Sequence, residues 1–153
     1  MADQKNIIGI DTLTKQLIEE RNFWLKQFKG ELVKSYFPYD RENNNGSGFK
    51  TIQRSINGDS FSKLIKLGNN SEKNLFMIYQ ALVNILLLKY TNNLDIITGC
   101  PIDKQKFEGE LLNKVLGLRV NLDKKISFKE LLLEVRKVFS DATLNQNYPF
   151  YQL

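Results

Sequence analysis

Two stretches in the second half of the chain change the spacing of apolar residues from helical to strand-like, and this change constrains the fold most. The run Leu94-Asp95-Ile96-Ile97-Thr98-Gly99-Cys100 is too short and too β-branched for a helix, and it stops at Pro101. From Val115 to Leu122, the apolar Leu116, Leu118, Val120 and Leu122 alternate with Gly117, Arg119 and Asn121, which predicts a strand with one face in the core. Helical patterns surround both. Leu13, Leu17, Trp24 and Phe28 predict a helix capped by Asp11 or Thr12 and ended near Gly30. Asn57-Gly58-Asp59 turns into a short helix carrying Phe61, Leu64 and Ile65, which Gly68 and Asn69 end. A third helix runs from about Glu72 to Tyr90 behind a Ser71 cap and is apolar nearly all round, which predicts the centre of the core. Ser127-Phe128-Lys129-Glu130 is a capping box, and it opens an apolar stripe through Leu131, Leu132, Val135, Val138, Phe139 and Ala142. Phe49 to Ile56 reads as a weak strand, and Asn43 to Gly48 as a surface loop. The expectation is an α/β fold, about four helices packed on a small sheet, in one domain over residues 1–153 with a polar leader at 1–10.

Charge and residue usage exclude several functions. The 22 Lys and Arg are scattered among 17 Asp and Glu, so the net charge of +5 predicts a solvated basic surface and no nucleic-acid partner. The apolar stretch Leu75 to Leu88 is interrupted by Gln80 and Asn84 and falls short of the ~20 residues a bilayer requires, which argues against a membrane span. The first residues lack an apolar signal core, and a cytoplasmic location is expected. With one cysteine and no histidine, no internal disulfide or zinc site of usual ligand count is expected. Ser-His-Asp and Cys-His chemistry and a histidine general acid are excluded within these residues. Ser60-Phe61-Ser62-Lys63 fits SxxK but lacks the accompanying SDN and KTG elements, so Ser60 is read as a helix cap and Lys63 as a surface residue. Cys100 is read as a small core residue, because nothing basic adjoins it to lower its pKa.

Several short motifs occur in a fixed order. Phe23-Trp24-Leu25-Lys26-Gln27-Phe28 is similar to a Tyr-Trp-Leu helix opening, and Leu86-Leu87-Leu88-Lys89-Tyr90-Thr91 to the end of a long apolar helix. Asp95-Ile96-Ile97-Thr98-Gly99-Cys100-Pro101 fits DIxxGxP. Gly109 to Asn113 leading to Arg119 echoes GxFVNTxxxR, and Asn145-Gln146-Asn147-Tyr148-Pro149-Phe150 resembles (H/N)QDxPFE. Together they resemble the C-terminal lobe of the condensation domains of nonribosomal peptide synthetases, from about residue 20 onward. There are departures. Asn113 and Arg119 stand one residue further apart than in that pattern, which predicts a bulge or register shift; Asn147 replaces the Asp and Tyr151 the Glu.

The resemblance implies a single chloramphenicol acetyltransferase-like lobe of a truncated condensation domain. In that family a HHxxxDG motif handles the amine proton while two carrier-bound acyl groups are joined, and a chain without histidine cannot contain it. The implied role is non-catalytic, a structural platform or docking element beside an adenylation domain. The alternative is the C-terminal half of a split condensation enzyme, completed by an N-lobe that supplies HHxxxDG. Implied partners are the adenylation domain, a carrier domain, that N-lobe or a second copy of this chain. No cofactor is expected on this chain, and phosphopantetheine belongs to the partner carriers. Asn113 and Arg119 correspond to positions near the lobe interface or tunnel, although satisfying backbone groups and lining the polar face of a strand account for them as well. Trp24, Asp95, Gly99, Pro101, Asn145, Gln146, Pro149 and Phe150 carry the family signature in what is expected to be a structural role.

Overall fold

A computed structural model describes residues 2–38, 51–102, 113–149 and 152–153, with side chains from residue 12 onward. The elements in chain order are α1 (Ala2–Gln27), α2 (Gly58–Leu67), α3 (Glu72–Thr91), β1 (Asp95–Pro101), β2 (Val115–Asn121) and α4 (Phe128–Leu144). This is the expected α/β class, with four helices and a two-stranded antiparallel sheet among the described residues.

The capping chemistry fixes the helix limits. Ser127 accepts from the Glu130 amide and the Glu130 carboxylate accepts from the Ser127 amide, so both halves of the box form at the start of α4. Ser71 accepts from the Asn74 amide at the start of α3, and Asn92, at φ 53°, ends it in the left-handed region that Asn tolerates. At the start of α2 the cap position is Asn57, which places Ser60 inside the first turn and corrects its reading as the cap. The start of α1 is also corrected. The helix begins at Ala2 and passes through Asp11 and Thr12, so neither caps it, and residues 2–10 of the expected leader are helical backbone. Residues 51–57 form no strand, which removes the described part of the expected Phe49–Ile56 strand; Phe49, Lys50 and the Asn43 to Gly48 loop lie outside the described residues.

The ladder pairs Asp95 with Asn121 through to Pro101 with Val115 without interruption, so no bulge occurs within it. Ile96, Cys100, Leu116, Leu118 and Val120 point to one face and are buried against Met77, Ala81 and Leu87 of α3 and Leu131, Val135, Val138 and Ala142 of α4. Two strands alone are marginal in water, and these two helices supply the face that stabilises them. The opposite face receives the end of α1. There the Phe28 ring lies over Gly117, where an added Cβ would come within 2.5 Å of the ring, so only glycine permits the approach. Phe28 stacks on Trp24 with centroids 5.7 Å apart.

Both sheet edges meet side chains. The Ile97 amide on β1 donates to the Ser35 hydroxyl at 2.8 Å, and the Arg119 carbonyl on β2 accepts from the Gln27 amide at 3.2 Å. Helix α3 is less enclosed than its composition predicts. Met77, Ile78, Gln80, Ala81, Asn84 and Leu87 are buried, whereas Tyr79, Leu82, Val83, Leu86 and Tyr90 form an exposed apolar stripe at helical spacing.

Candidate functional site

The residues of the C-terminal signature converge with residues far away in sequence. The turn after α4, Asn145 to Tyr148, is held at three points. Trp24, fully buried, donates its indole N–H to the Asn145 carbonyl at 2.6 Å. Asn113, also buried, donates its side-chain amide to the carbonyls of Gln146 at 3.0 Å and Tyr148 at 2.7 Å. Glu20 of α1 is 2% exposed and accepts from the Asn147 backbone amide at 2.8 Å, from Asn147 Nδ2 at 3.1 Å and from Gln16 Nε2 at 2.7 Å. Three donors therefore satisfy one buried carboxylate, and no cation pairs with it among the described residues. An amide, an indole and a carboxylate thus fix the backbone of this turn, and the Trp24 indole N–H and Asn113 Nδ2 donate to its carbonyls.

A second cluster sits on the sheet face that carries Phe28. Arg119 extends diagonally across the ladder to Asp95, with Nε to Oδ1 at 2.8 Å and Nη2 to Oδ2 at 2.6 Å, a bidentate pair. Its remaining N–H groups donate to the carbonyls of Gln27 at 3.1 Å, Lys29 at 2.8 Å and Glu31 at 3.4 Å. The guanidinium thereby occupies carbonyls left open at the end of α1, where a cation is favoured. The bond to Asp95 raises its already high pKa against the opposing effect of burial, and the Asp95 charge adds to the rise. Asp95 and Arg119 thus clamp the chain as it leaves α1. Gly99 and Pro101 lie on the same strand as Asp95, and an added Cβ at Gly99 would come within 2.9 Å of Val115 Cγ1. Phe150 and the Gly109 to Leu112 run lie outside the described residues.

The remaining polar candidates separate from these clusters. Lys63 pairs with Asp59 at 2.7 Å on the open surface of α2, and Ser62 donates to the Gly58 carbonyl. Cys100 is buried, with its sulfur directed to the Pro101 carbonyl at 3.2 Å. Gln80 of α3 donates to the Thr98 hydroxyl on β1. Asn84, one turn along, is fully buried and neither atom of its amide has a hydrogen-bond partner among the described residues. No group of three or more Cys, Asp or Glu among the described residues could hold a metal ion, and no described helix is long and apolar enough to cross a membrane.

Sequence reasoning missed Glu20 and the roles of Gln16 and Gln27. Glu20 sits three residues before Phe23 in the motif that drew attention to Trp24, and its helical spacing from Trp24 was the available signal.

The family model described as Condensation domain matches residues 11–153. The chain is 30% identical over 148 residues to bacitracin synthase 1 of Bacillus licheniformis, a match covering 92% of this chain and 3% of that protein. It is 31% identical over 152 residues to tyrocidine synthase 3 of Brevibacillus parabrevis, covering 88% of this chain and 2% of that protein. It is 31% identical over 145 residues to tyrocidine synthase 2 of the same organism, covering 88% of this chain and 4% of that protein. The chain thus spans only a few per cent of the length of these relatives. No solved structure matches it significantly.

Proposed function

Because this chain belongs to the condensation-domain family of nonribosomal peptide synthetases, we propose that it contributes structure and no bond-making step, as one chloramphenicol acetyltransferase-like lobe that serves as a platform or docking element for an adenylation domain. The observation that carries this reading is the absence of histidine from all 153 residues, which leaves no HHxxxDG and no imidazole to handle an amine proton at neutral pH. The geometry gives a second support. Trp24, Asn113, Asp95 and Arg119 direct their polar groups to backbone carbonyls and to one another, an arrangement that builds a rigid lobe. A third support is the stripe Tyr79, Leu82, Val83, Leu86 and Tyr90 on α3, an apolar face of the kind covered in domain interfaces of ~600 to 1,500 Å².

The same stripe also suits completion by a separate N-lobe bearing HHxxxDG, which would make the chain half of a split condensation enzyme acting on carrier-bound substrates with their phosphopantetheine arms. Two measurements separate the readings. The chain is titrated with an adenylation domain of its synthetase by calorimetry, and Leu82→Asp/Leu86→Asp serves as the surface variant. The platform reading expects saturable binding that the variant abolishes. Binding to the adenylation domain that is absent or indifferent to the variant, together with peptide-bond formation once an N-lobe is supplied in trans, would establish the split enzyme instead.

A further inference from the structure

We propose that the cleft between the end of α1, the outer edge of β2 and α4 is a binding site for a small phosphate-bearing anion, an inference that does not depend on the platform reading. The cleft has a volume of ≈ 620 Å³, within the ~300 to 1,000 Å³ of small-molecule sites. Its cations come from three separate elements: Lys26 and Lys29 at the end of α1, Arg119 on β2 and Lys137 on α4. Arg119 is engaged by Asp95 and three carbonyls, but the ammonium groups of Lys26, Lys29 and Lys137 form no ion pair or hydrogen bond among the described residues. A single acid, Asp141, lines the cleft, and it pairs with none of them, including Lys137 one turn before it.

Lys26, Lys29 and Lys137 thus bring three ammonium groups to one concavity against a single acid. Ammonium groups converging on one cleft raise its positive potential and favour an anion with several acceptor oxygens. A carboxylate offers two oxygens to three lysines, whereas a phosphate group presents three and carries more charge. Asn121 lines the opening and Phe23 an apolar wall. The site is therefore suited to a phosphate with or without an attached apolar group.

Calorimetric titration of the 153-residue chain with inorganic pyrophosphate at low ionic strength tests the site. One saturable site is expected, weakened about tenfold or more by Lys29→Gln/Lys137→Gln, a loss of ~1.4 kcal/mol. Asp141→Asn, which removes the acidic wall, should tighten binding, a gain that a folding defect cannot imitate. The control Lys34→Gln/Lys66→Gln should leave affinity unchanged. Equal loss in that control, indifference to Lys29→Gln/Lys137→Gln, or no gain from Asp141→Asn would each overturn the proposal. Phenyl phosphate titrated against inorganic phosphate separates the sources: tighter binding of the ester supports an organic phosphate seated on Phe23, and equal binding supports free phosphate.

Discussion

Replacing Asn147 by Asp should destabilise the fold strongly at neutral pH, and the reason lies in Glu20. The Glu20 carboxylate is 2% exposed and its oxygens accept from three N–H groups, one of them Asn147 Nδ2 at 3.1 Å. Asn147→Asp exchanges that donor for a second carboxylate. A hydrogen bond to a charged group, worth ~1.5 to 3 kcal/mol, is lost. Two carboxylates about 3 Å apart in a site closed to water also repel each other, with no cation beside them among the described residues. The combined penalty at pH 7 is about 3 kcal/mol, near the lower end for an uncompensated buried charge. For a chain of this size that corresponds to a fall in Tm of ~6 to 12 °C.

Glu20→Gln/Asn147→Asp returns the site to one carboxylate with an amide donor beside it, and should recover at least ~1.5 kcal/mol of the loss. Denaturant melts followed by the fluorescence of Trp24, the sole tryptophan and a direct partner of the Asn145 carbonyl, report on this turn. A single variant within ~0.5 kcal/mol of the parent at pH 7, or a double variant no more stable than the single, would refute the reasoning.

Three further outcomes are expected. Arg119→Lys keeps the charge but cannot span Asp95 and the three carbonyls, so chemical denaturation should show a loss of about 2 kcal/mol, with faster amide exchange at the end of α1. Gly117→Ala sets a methyl against the Phe28 ring and should cost ~1 to 3 kcal/mol by displacing the Phe28 and Trp24 stack, visible as a shift in tryptophan emission. Ser127→Ala removes the cap of α4 at a cost of about 1 kcal/mol. The Ser127 hydroxyl and amide hold the Glu130 carboxyl below its ordinary range, so this stabilisation is present above the unfolded carboxyl pKa and is lost as pH falls through the lower folded value, which exchange rates in the first turn of α4 should track.

Local chemistry was readable in the sequence wherever it decided the structure locally. The capping box at Ser127, the Ser71 cap and the alternation from Leu116 to Leu122 each depend on neighbours within a few residues, and each element lies within about one residue of its expected limits. Residues 51–56 misled because β-branched Ile52 and Ile56 favour a strand only when another strand pairs with them; here both are exposed and unpaired. Helix α1 extends back to Ala2 because nothing between Asp3 and Thr12 breaks a helix as proline would, and a good cap does not by itself start one. For α3, apolar composition all round predicts enclosure, but burial is a property of the surroundings: Phe37 meets Tyr90 edge-on, while Tyr79, Leu82, Val83 and Leu86 stay exposed.

The signature cluster was legible as a set of residues and not as a mechanism of holding them. Its links join positions separated by 33 to 127 residues, from Asn113 with Gln146 to Glu20 with Asn147, and no local pattern announces them. Residue chemistry still gives a rule for finding such links. A departure from a motif that exchanges an acid for an amide, as at Asn147, removes a charge from a turn whose backbone must remain anchored. In this fold a carboxylate faces that position from α1, so the departure and Glu20 are intelligible only as a pair. If the pairing governs the position, Asp at 147 should be tolerated only in chains whose residue at 20 is uncharged, and the Glu20→Gln background supplies that condition within a single protein. A random library at both positions, selected for folding at pH 7, should therefore return Glu with Asn and Gln with Asp, and should be depleted of Glu with Asp.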